Sequence, residues 1–203
     1  MHLLPTVLSV LLLAGCSSGV AVPGASGPAV GRASPDPAAG ARIQGVQSYP
    51  YATPAHRTAR ESYPQSPPVG GDHWPPSGGG ATGWLTCGVY DRSVTNEFAV
   101  HSLEHGAVWL TYRPGTTGAQ VATFSGLAAL QSDYVLVTPY AGQQGAFGAT
   151  AWGAQLFVDN PDDARLAEFV RAYAGGDQGR EGGAPCTGGS SPEQAQAALE
   201  AVS

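Results

Sequence analysis

The fold is decided by residues 96–112, which read NEFAVHSLEHGAVWLTY. The first ten of them predict a helix, and Gly106 follows at the position just beyond a helix C-terminus that glycine favours. The next six residues, AVWLTY, are mostly apolar and predict a strand. We therefore expect a helix over 96–105 that leads directly into a strand over 107–112.

The sequence downstream predicts two more strands and two more helices. Apolar residues recur at helical spacing over 118–130, and an apolar run over 134–138 predicts the second strand. A third strand is expected over 148–158. The last helix is expected to take Asn160 as its N-cap and to bury one apolar stripe. That stripe consists of Leu166, Phe169, Val170 and Tyr173.

These elements occur in the order β-α-β-β-α after a leading short helix. A helix joins the strands over 107–112 and 134–138, so we expect that pair to be parallel. A short loop joins 134–138 to 148–158, so we expect that pair to be antiparallel. The sequence therefore predicts an α/β fold built on a small mixed sheet, with α+β as the alternative. Residues 61–95 are rich in Pro and Gly and are expected to form a long loop.

The N-terminus is typical of an export signal. Residues 3–14 are an apolar run too short to span a bilayer, as in a signal peptide. The following LAGC at 13–16 resembles a bacterial lipobox, although the usual basic residues before the apolar run are missing. We predict a lipoprotein signal peptide over 1–15 and lipidation at Cys16. The protein would then sit in the cell envelope, outside the cytoplasm and anchored to the membrane by its lipid; the alternative is an ordinary secretory signal with a chance cysteine.

Composition divides the rest of the chain. Residues 16–60 are mainly Gly, Ala, Ser and Pro and predict a flexible tether that cannot form a core. His56 falls within it, and the sequence gives this residue no role. Aromatic residues become frequent further on and predict a single globular domain over 61–187. A C-terminal tail over 188–203 would contain at most a weak helix.

Charge and cysteine content narrow the function. All nine basic residues are arginines, so mechanisms that need a lysine amine are excluded. The net charge of −6, without a basic cluster, argues against nucleic acid as a partner. Once Cys16 is lipidated, Cys87 and Cys186 remain, and in an exported protein such a pair predicts a disulfide. A thiolate metal ligand or a nucleophile is the alternative for either cysteine.

The predicted helix over 96–105 has a polar face that predicts a metal site. Glu97, His101, Glu104 and His105 fall within about 100° of one another on a helix. Histidines four residues apart bring two ring nitrogens close enough for one ion, with a carboxylate beside them. His73, in the tight loop GGDHWPP, would supply a third imidazole. The candidate ligands are His73, His101 and His105, with Glu97 as a further candidate; the alternatives are a solvated helix face and a structural turn around His73.

The same helix matches a catalytic pattern. The string HSLEH at 101–105 fits the H-x-x-E-H motif of inverzincin peptidases, in which two histidines bind zinc and the glutamate is the base. Glu104 is accordingly the candidate catalytic residue. Those enzymes also use a downstream glutamate, for which the sequence marks no single residue among four candidates. The four are Glu168, Glu181, Glu193 and Glu200.

The order and spacing of several motifs resemble one bacterial family over residues 61–189. That family is known as a domain of unknown function, often in lipoproteins or membrane-anchored proteins. The resemblance implies that its motif positions in this chain are His73, Cys87, His101, Glu104, His105 and Cys186. It rests on GGDHWP, CGVYD, NEFAVHSLEHGAVWLTY, YVLVTPY, AWGAQL, FVRAY and APCTGG.

Three functions remain open from the sequence. The first is a lipid-anchored protein that binds a transition metal, Cu(II) or Zn(II), through the histidine-rich site. The second is a metal-dependent hydrolase in which Glu104 activates water. The third is a metal-free interaction module of the cell envelope. Whether the protein is an enzyme is therefore left undecided, and no protein partner is identified.

Overall fold

The computed structural model describes residues 35–50 and 53–202. The predicted signal peptide, lipidation at Cys16 and the start of the tether lie outside the described residues. Within the described part of the chain, no helix has both the length and the apolar character needed to cross a membrane.

The described residues form a mixed sheet, a small hairpin and helices on either side of the sheet. The strands are β1 (Gln47–Ser48), β2 (Ser77–Gly78), β3 (Ala81–Thr82), β4 (Gly88–Val89), β5 (Val108–Tyr112), β6 (Val135–Pro139), β7 (Phe147–Ala151) and β8 (Ala154–Val158). The α-helices are α1 (Pro37–Gly40), α2 (Asn96–Glu104), α3 (Gly118–Ser125), α4 (Ala164–Tyr173) and α5 (Pro192–Glu200). Two 3-10 helices, Gly126–Leu130 and Ser132–Tyr134, connect α3 to β6.

The main sheet has six strands in the order β1-β8-β7-β5-β6-β4. Strands β4, β5 and β6 are parallel to one another, whereas β7 runs antiparallel to β5 and β8 runs antiparallel to β7. The predicted mixed sheet and the parallel pairing of β5 with β6 are confirmed. The architecture is consistent with the predicted α/β or α+β class.

The third predicted strand is wrong in two respects. Residues 148–158 form the hairpin β7–β8 rather than one strand, because the chain turns at Gly153, whose φ of +72° suits glycine. The hairpin also pairs with β5 instead of with β6. The far side of β6 is taken by β4, which comes from the Pro- and Gly-rich segment expected to lack regular structure.

The predicted helices are present, with corrected ends. Helix α2 ends at Glu104, one residue before the predicted end, with His105 as its C-cap, and Gly106 follows with φ +96°. The α-helical part of the second predicted helix stops at Ser125 and continues as a 3-10 helix. Asp163, rather than Asn160, caps α4, because its carboxylate accepts the backbone N–H of Arg165 at 3.0 Å. The predicted apolar stripe of α4 is buried throughout.

Two apolar clusters occupy the two faces of the sheet. One contains the stripe of α4 and Phe124 of α3, which pack with Val108 and Leu110 of β5. The other contains Trp109, whose side chain follows the alternation of a strand to the opposite face, and it joins α2 to α5. Helix α2 therefore lies on this second side of the sheet.

The folded region extends beyond residues 61–187 at both ends. Ahead of it, α1 and β1 form within the predicted tether, and Ile43 and Val46 pack against the first cluster. Behind it, the predicted tail forms α5, which buries Ala195, Ala198 and Leu199 in the second cluster. A few apolar residues in a segment of small residues are enough to bury that segment against the surface of an existing core.

Candidate metal centre

Helix α2 carries its polar face into the interior. Every residue from Glu97 to Glu104 is buried, so the face predicted from the helix periodicity is not a solvated surface. The rings of His101 and His105 lie one turn apart, with centroids 4.8 Å from each other. Burial of several ionisable groups on one helix face is costly unless the groups satisfy one another or bind a charged partner.

The loop before α2 brings His73 to this face. Trp74, its neighbour, is fully buried and stacks on Phe98 of α2 with ring centroids 5.1 Å apart. This anchor places the His73 ring 4.8 Å from that of His101. His73 Nε2 also lies 2.9 Å from Glu104 Oε2. Of the three histidines predicted to converge, His73 and His101 share one group, whereas His105 falls in a second group with His101.

His56 joins the same cluster, which corrects the expectation that it plays no part. Its ring centroid is 4.9 Å from that of His73, and its Nε2 lies 3.8 Å from Glu104 Oε2. A short parallel β-bridge between the segments around His56 and His73 positions the His56 side chain. The Arg57 N–H donates to the His73 carbonyl at 2.8 Å, and the His73 N–H donates to the Ala55 carbonyl at 3.1 Å.

The inner group consists of His56, His73, His101 and Glu104, and its ligand atoms all lie within 4.8 Å of one another. Two of its rings are held by backbone carbonyls. His73 Nδ1 is 2.8 Å from the Gly71 oxygen, and His101 Nδ1 is 2.6 Å from the Trp74 oxygen. A carbonyl oxygen only accepts, so each Nδ1 carries a proton and Nε2 is the ring nitrogen that faces the group. Metal-binding histidines are commonly fixed in this way.

These two Nε2 atoms are buried within the group. Among the described residues, His101 Nε2 has no hydrogen-bond partner. His73 Nε2 lies 2.9 Å from the Glu104 carboxylate, and a proton on the ring or a bound metal ion would link the two atoms. A buried nitrogen without a donor, beside an imidazole and a carboxylate that face each other, is what a bound metal ion would satisfy.

The local electrostatics keep the imidazole of His101 neutral and Glu104 ionised. Burial first, and then the neighbouring His73 and His105, lower the pKa of His101 to about 2. Burial opposes ionisation of Glu104, but its contacts with His73 and His56 outweigh that effect and lower its pKa. A neutral imidazole and an ionised carboxylate are the forms that bind a metal ion.

A second group shares His101 with the first. It consists of His101, His105 and Glu181. Glu181 Oε2 lies 3.1 Å from His105 Nε2 and 3.7 Å from His101 Nε2. Burial, only partly offset by Glu181, lowers the pKa of His105. The sequence offered Glu181 as one of four downstream glutamates, and no local pattern separated it from the other three.

Glycine allows the Glu181 loop to reach α2. A Cβ at Gly179 would overlap the backbone of Glu104, and a Cβ at Gly106 would lie 2.5 Å from the Gly176 oxygen. The Tyr134 hydroxyl also donates to the Gly183 carbonyl at 2.7 Å. The loop is therefore packed directly on the C-terminal end of α2, with its carboxylate over His105.

The two groups open onto a cavity of about 360 Å³. Aromatic rings flank them, with Trp84 4.8 Å from His105 and Trp152 5.9 Å from His73 between ring centroids. The cavity itself is lined by ionisable side chains and one proline. It is lined by Pro54, His56, Glu104, Arg180 and Glu181.

Residues 56–188 match a protein family described as a protein of unknown function (DUF3105). The chain belongs to this family. The resemblance to a family of unknown function is thereby confirmed. No curated protein and no solved structure matches the chain. The match to DUF3105 begins at His56, the ligand candidate that sequence reasoning missed, and includes every residue of both groups.

Of the predicted ligands in this DUF3105 chain, Glu97 alone is placed elsewhere. Among the described residues it belongs to neither group, and its Oε1 accepts the backbone N–H of Glu61 at 2.9 Å. It acts there as an anchor for the segment that follows His56. Cys87 and Cys186 lie with their sulfurs 2.05 Å apart, at disulfide distance as predicted.

Proposed function

We propose that this protein binds one transition metal ion, Zn(II) or Cu(II), through His56, His73, His101 and Glu104. The observation that carries the proposal is the convergence of two buried Nε2 atoms, those of His73 and His101, beside the Glu104 carboxylate, with each ring held by an Nδ1–H donated to a backbone carbonyl. Three imidazoles and a carboxylate suit these two ions. With Cys87 and Cys186 joined, the group contains no thiolate that would favour Cu(I).

We further propose that the protein works at the cell envelope, anchored to the membrane through lipid on Cys16. The LAGC sequence and the cysteine pair at disulfide distance support a location outside the cytoplasm. Growth of the producing cell with a labelled fatty acid tests this. Label should enter the full-length chain and be absent from a Cys16→Ser variant; equal labelling of both would contradict the anchor.

Elemental analysis of the full-length chain, purified from its own host without chelators, tests the metal site. We expect about one equivalent of zinc or copper per chain. His73→Ala and His101→Ala should each lose most of it, and Glu200→Gln, at an exposed glutamate on α5, is the matched control. Because His73 and His101 are buried, the partly exposed His56 provides a milder variant, His56→Ala. Full metal occupancy in a folded His56→Ala, His73→Ala double variant would contradict the assignment.

Hydrolysis is a second candidate, favoured by the position of Glu181. This residue supplies the downstream carboxylate that the H-x-x-E-H pattern of His101 and His105 lacks within α2. The adjacent cavity would admit an ester or amide, and Glu104 would take the proton from a metal-activated water. The test is Glu104→Gln. Loss of turnover with retained metal supports catalysis, whereas unchanged turnover would exclude Glu104 as the base.

A further inference from the structure

We propose that the second group, His101, His105 and Glu181, is an entry position for the same metal ion, which then passes to the inner group. This inference rests on the proposed metal-binding function and names the route by which the ion reaches it. The two groups would be filled alternately rather than together, because they share one side chain.

The shared residue can bind only one ion at a time. His101 Nδ1 is committed to the Trp74 carbonyl at 2.6 Å, so Nε2 is its single available donor atom. That atom lies 3.7 Å from Glu181 Oε2 and also belongs to the inner group. An ion that leaves His105 and Glu181 for His56, His73 and Glu104 would therefore keep His101 as a ligand throughout. Such an exchange never requires the ion to become free.

Exposure gives the direction of entry. The side chain of Glu181 is 42% exposed and carries the carboxylate; His56 of the inner group is 37% exposed but offers no negative charge, and His73 and Glu104 are only 0% and 3% exposed. A carboxylate at the mouth of a cavity attracts a cation and can exchange bound water for ligand before the buried donors engage. His105, whose side chain is 6% exposed and whose Nε2 lies 3.1 Å from Glu181 Oε2, completes the first set of donors.

The inner group would hold the ion more tightly. It offers four ligands instead of three, and His73, which the second group lacks, is oriented by a backbone carbonyl. Ordered ligands lose less freedom when they bind, which favours the inner position at equilibrium. Glu181 would then act mainly on the rate of metal uptake and release.

Rapid mixing of the metal-free, full-length chain with Co²⁺, followed by its visible absorption, tests this order. We expect two phases, an early spectrum and a final one. Glu181→Gln should slow the first phase about tenfold, the lower end of what electrostatic steering provides, and leave the final spectrum unchanged. The matched control is Glu200→Gln, which should behave as wild type. His105→Ala should likewise alter the early phase and spare the final spectrum.

The number of metal ions bound per chain provides a second test of the proposal. Titration with Zn²⁺ should saturate at one tightly bound ion per chain. Two tightly bound ions would overturn the alternating arrangement, and so would uptake kinetics that are identical in wild type and Glu181→Gln. In either case the protein still binds metal and the proposed function stands. If the wild-type chain binds neither Co²⁺ nor Zn²⁺, the proposed function itself fails.

Discussion

The two faces of the sheet bury side chains of opposite character. On the α4 face, Leu166, Phe169 and Val170 are apolar, fully buried and spaced for one helix stripe. On the α2 face, His101 and Glu104 are buried just as deeply but carry polar atoms that compete for partners. The hydrophobic effect alone explains the burial of side chains on the α4 face. Burial of polar atoms on the α2 face is costly unless a bound partner satisfies them.

The largest effect should come from the apolar face. Phe169→Ala removes a fully buried ring from the first cluster, and we expect the free energy of unfolding to fall by about 3–5 kcal/mol. Urea denaturation measures this loss. Zinc affinity of the chains that remain folded should be unchanged, because the ring is on the opposite side of the sheet. A large drop in zinc affinity would show that the two faces are coupled.

The polar face should respond to metal instead. Zinc at one hundred times its dissociation constant should raise the free energy of unfolding of the wild-type protein by about 2.7 kcal/mol. His101→Leu removes the shared ligand and should abolish that increment, whatever its effect on the zinc-free protein. Thermal unfolding with and without zinc measures the difference. An increment that survives in His101→Leu would place the ion elsewhere.

A substitution at Gly83 should affect both stability and zinc binding, because this residue packs directly against His101. A Cβ there would overlap the Pro75 carbonyl and press on His101 Nδ1, so Gly83→Ala should cost about 1–3 kcal/mol of stability and also weaken zinc binding. Gly118→Ala is the matched control, because a Cβ at that position in α3 meets no atom within 4 Å. Unfolding and zinc titration of both variants measure the two effects. Equal zinc affinity in the two would contradict a close fit around His101.

The smallest effect should come from the cap of α4. Asp163→Ala removes the hydrogen bond to the Arg165 N–H and should cost about 0.5–2 kcal/mol. Arg165 is the main cause that lowers the pKa of Asp163 in the folded protein. The carboxylate therefore contributes its full stability above the pKa of an unfolded aspartate, and the contribution is lost as the pH falls through the lowered pKa. Unfolding of wild type and variant across the acid range should show this convergence at low pH.

The sequence was sufficient to predict the elements whose structure depends on one local pattern. The stripe of α4, the sequence of α2 and Gly106, and the parallel pair β5 and β6 all follow from periodicity and connection length. The pairing of β7 with β5 instead of with β6 did not follow from the sequence. Two edges of the β5–β6 pair were open to it, and the segment that occupies one of them, β4, is only two residues long.

The site was predictable in its centre and not at its edges. His101, Glu104 and His105 share a helix, so their spacing revealed them, and His73 stands in a tight loop. His56 reaches the cluster through backbone hydrogen bonds between residues 55–57 and 73, and backbone bonds leave no mark in side-chain sequence. Glu181 depends on glycines that let a loop touch α2, a tertiary contact that composition alone does not encode.

The bridge between His56 and His73 also determines where this domain may be cut. A shortened chain that starts at residue 61 keeps α2 and every strand of the sheet except β1, and would look intact by its secondary structure. It would nevertheless lack one of the four side chains of the inner group and both backbone hydrogen bonds that hold the segment around His73. A metal-binding assay on such a fragment would test an incomplete group, so a fragment that keeps the group has to include residues 55–57.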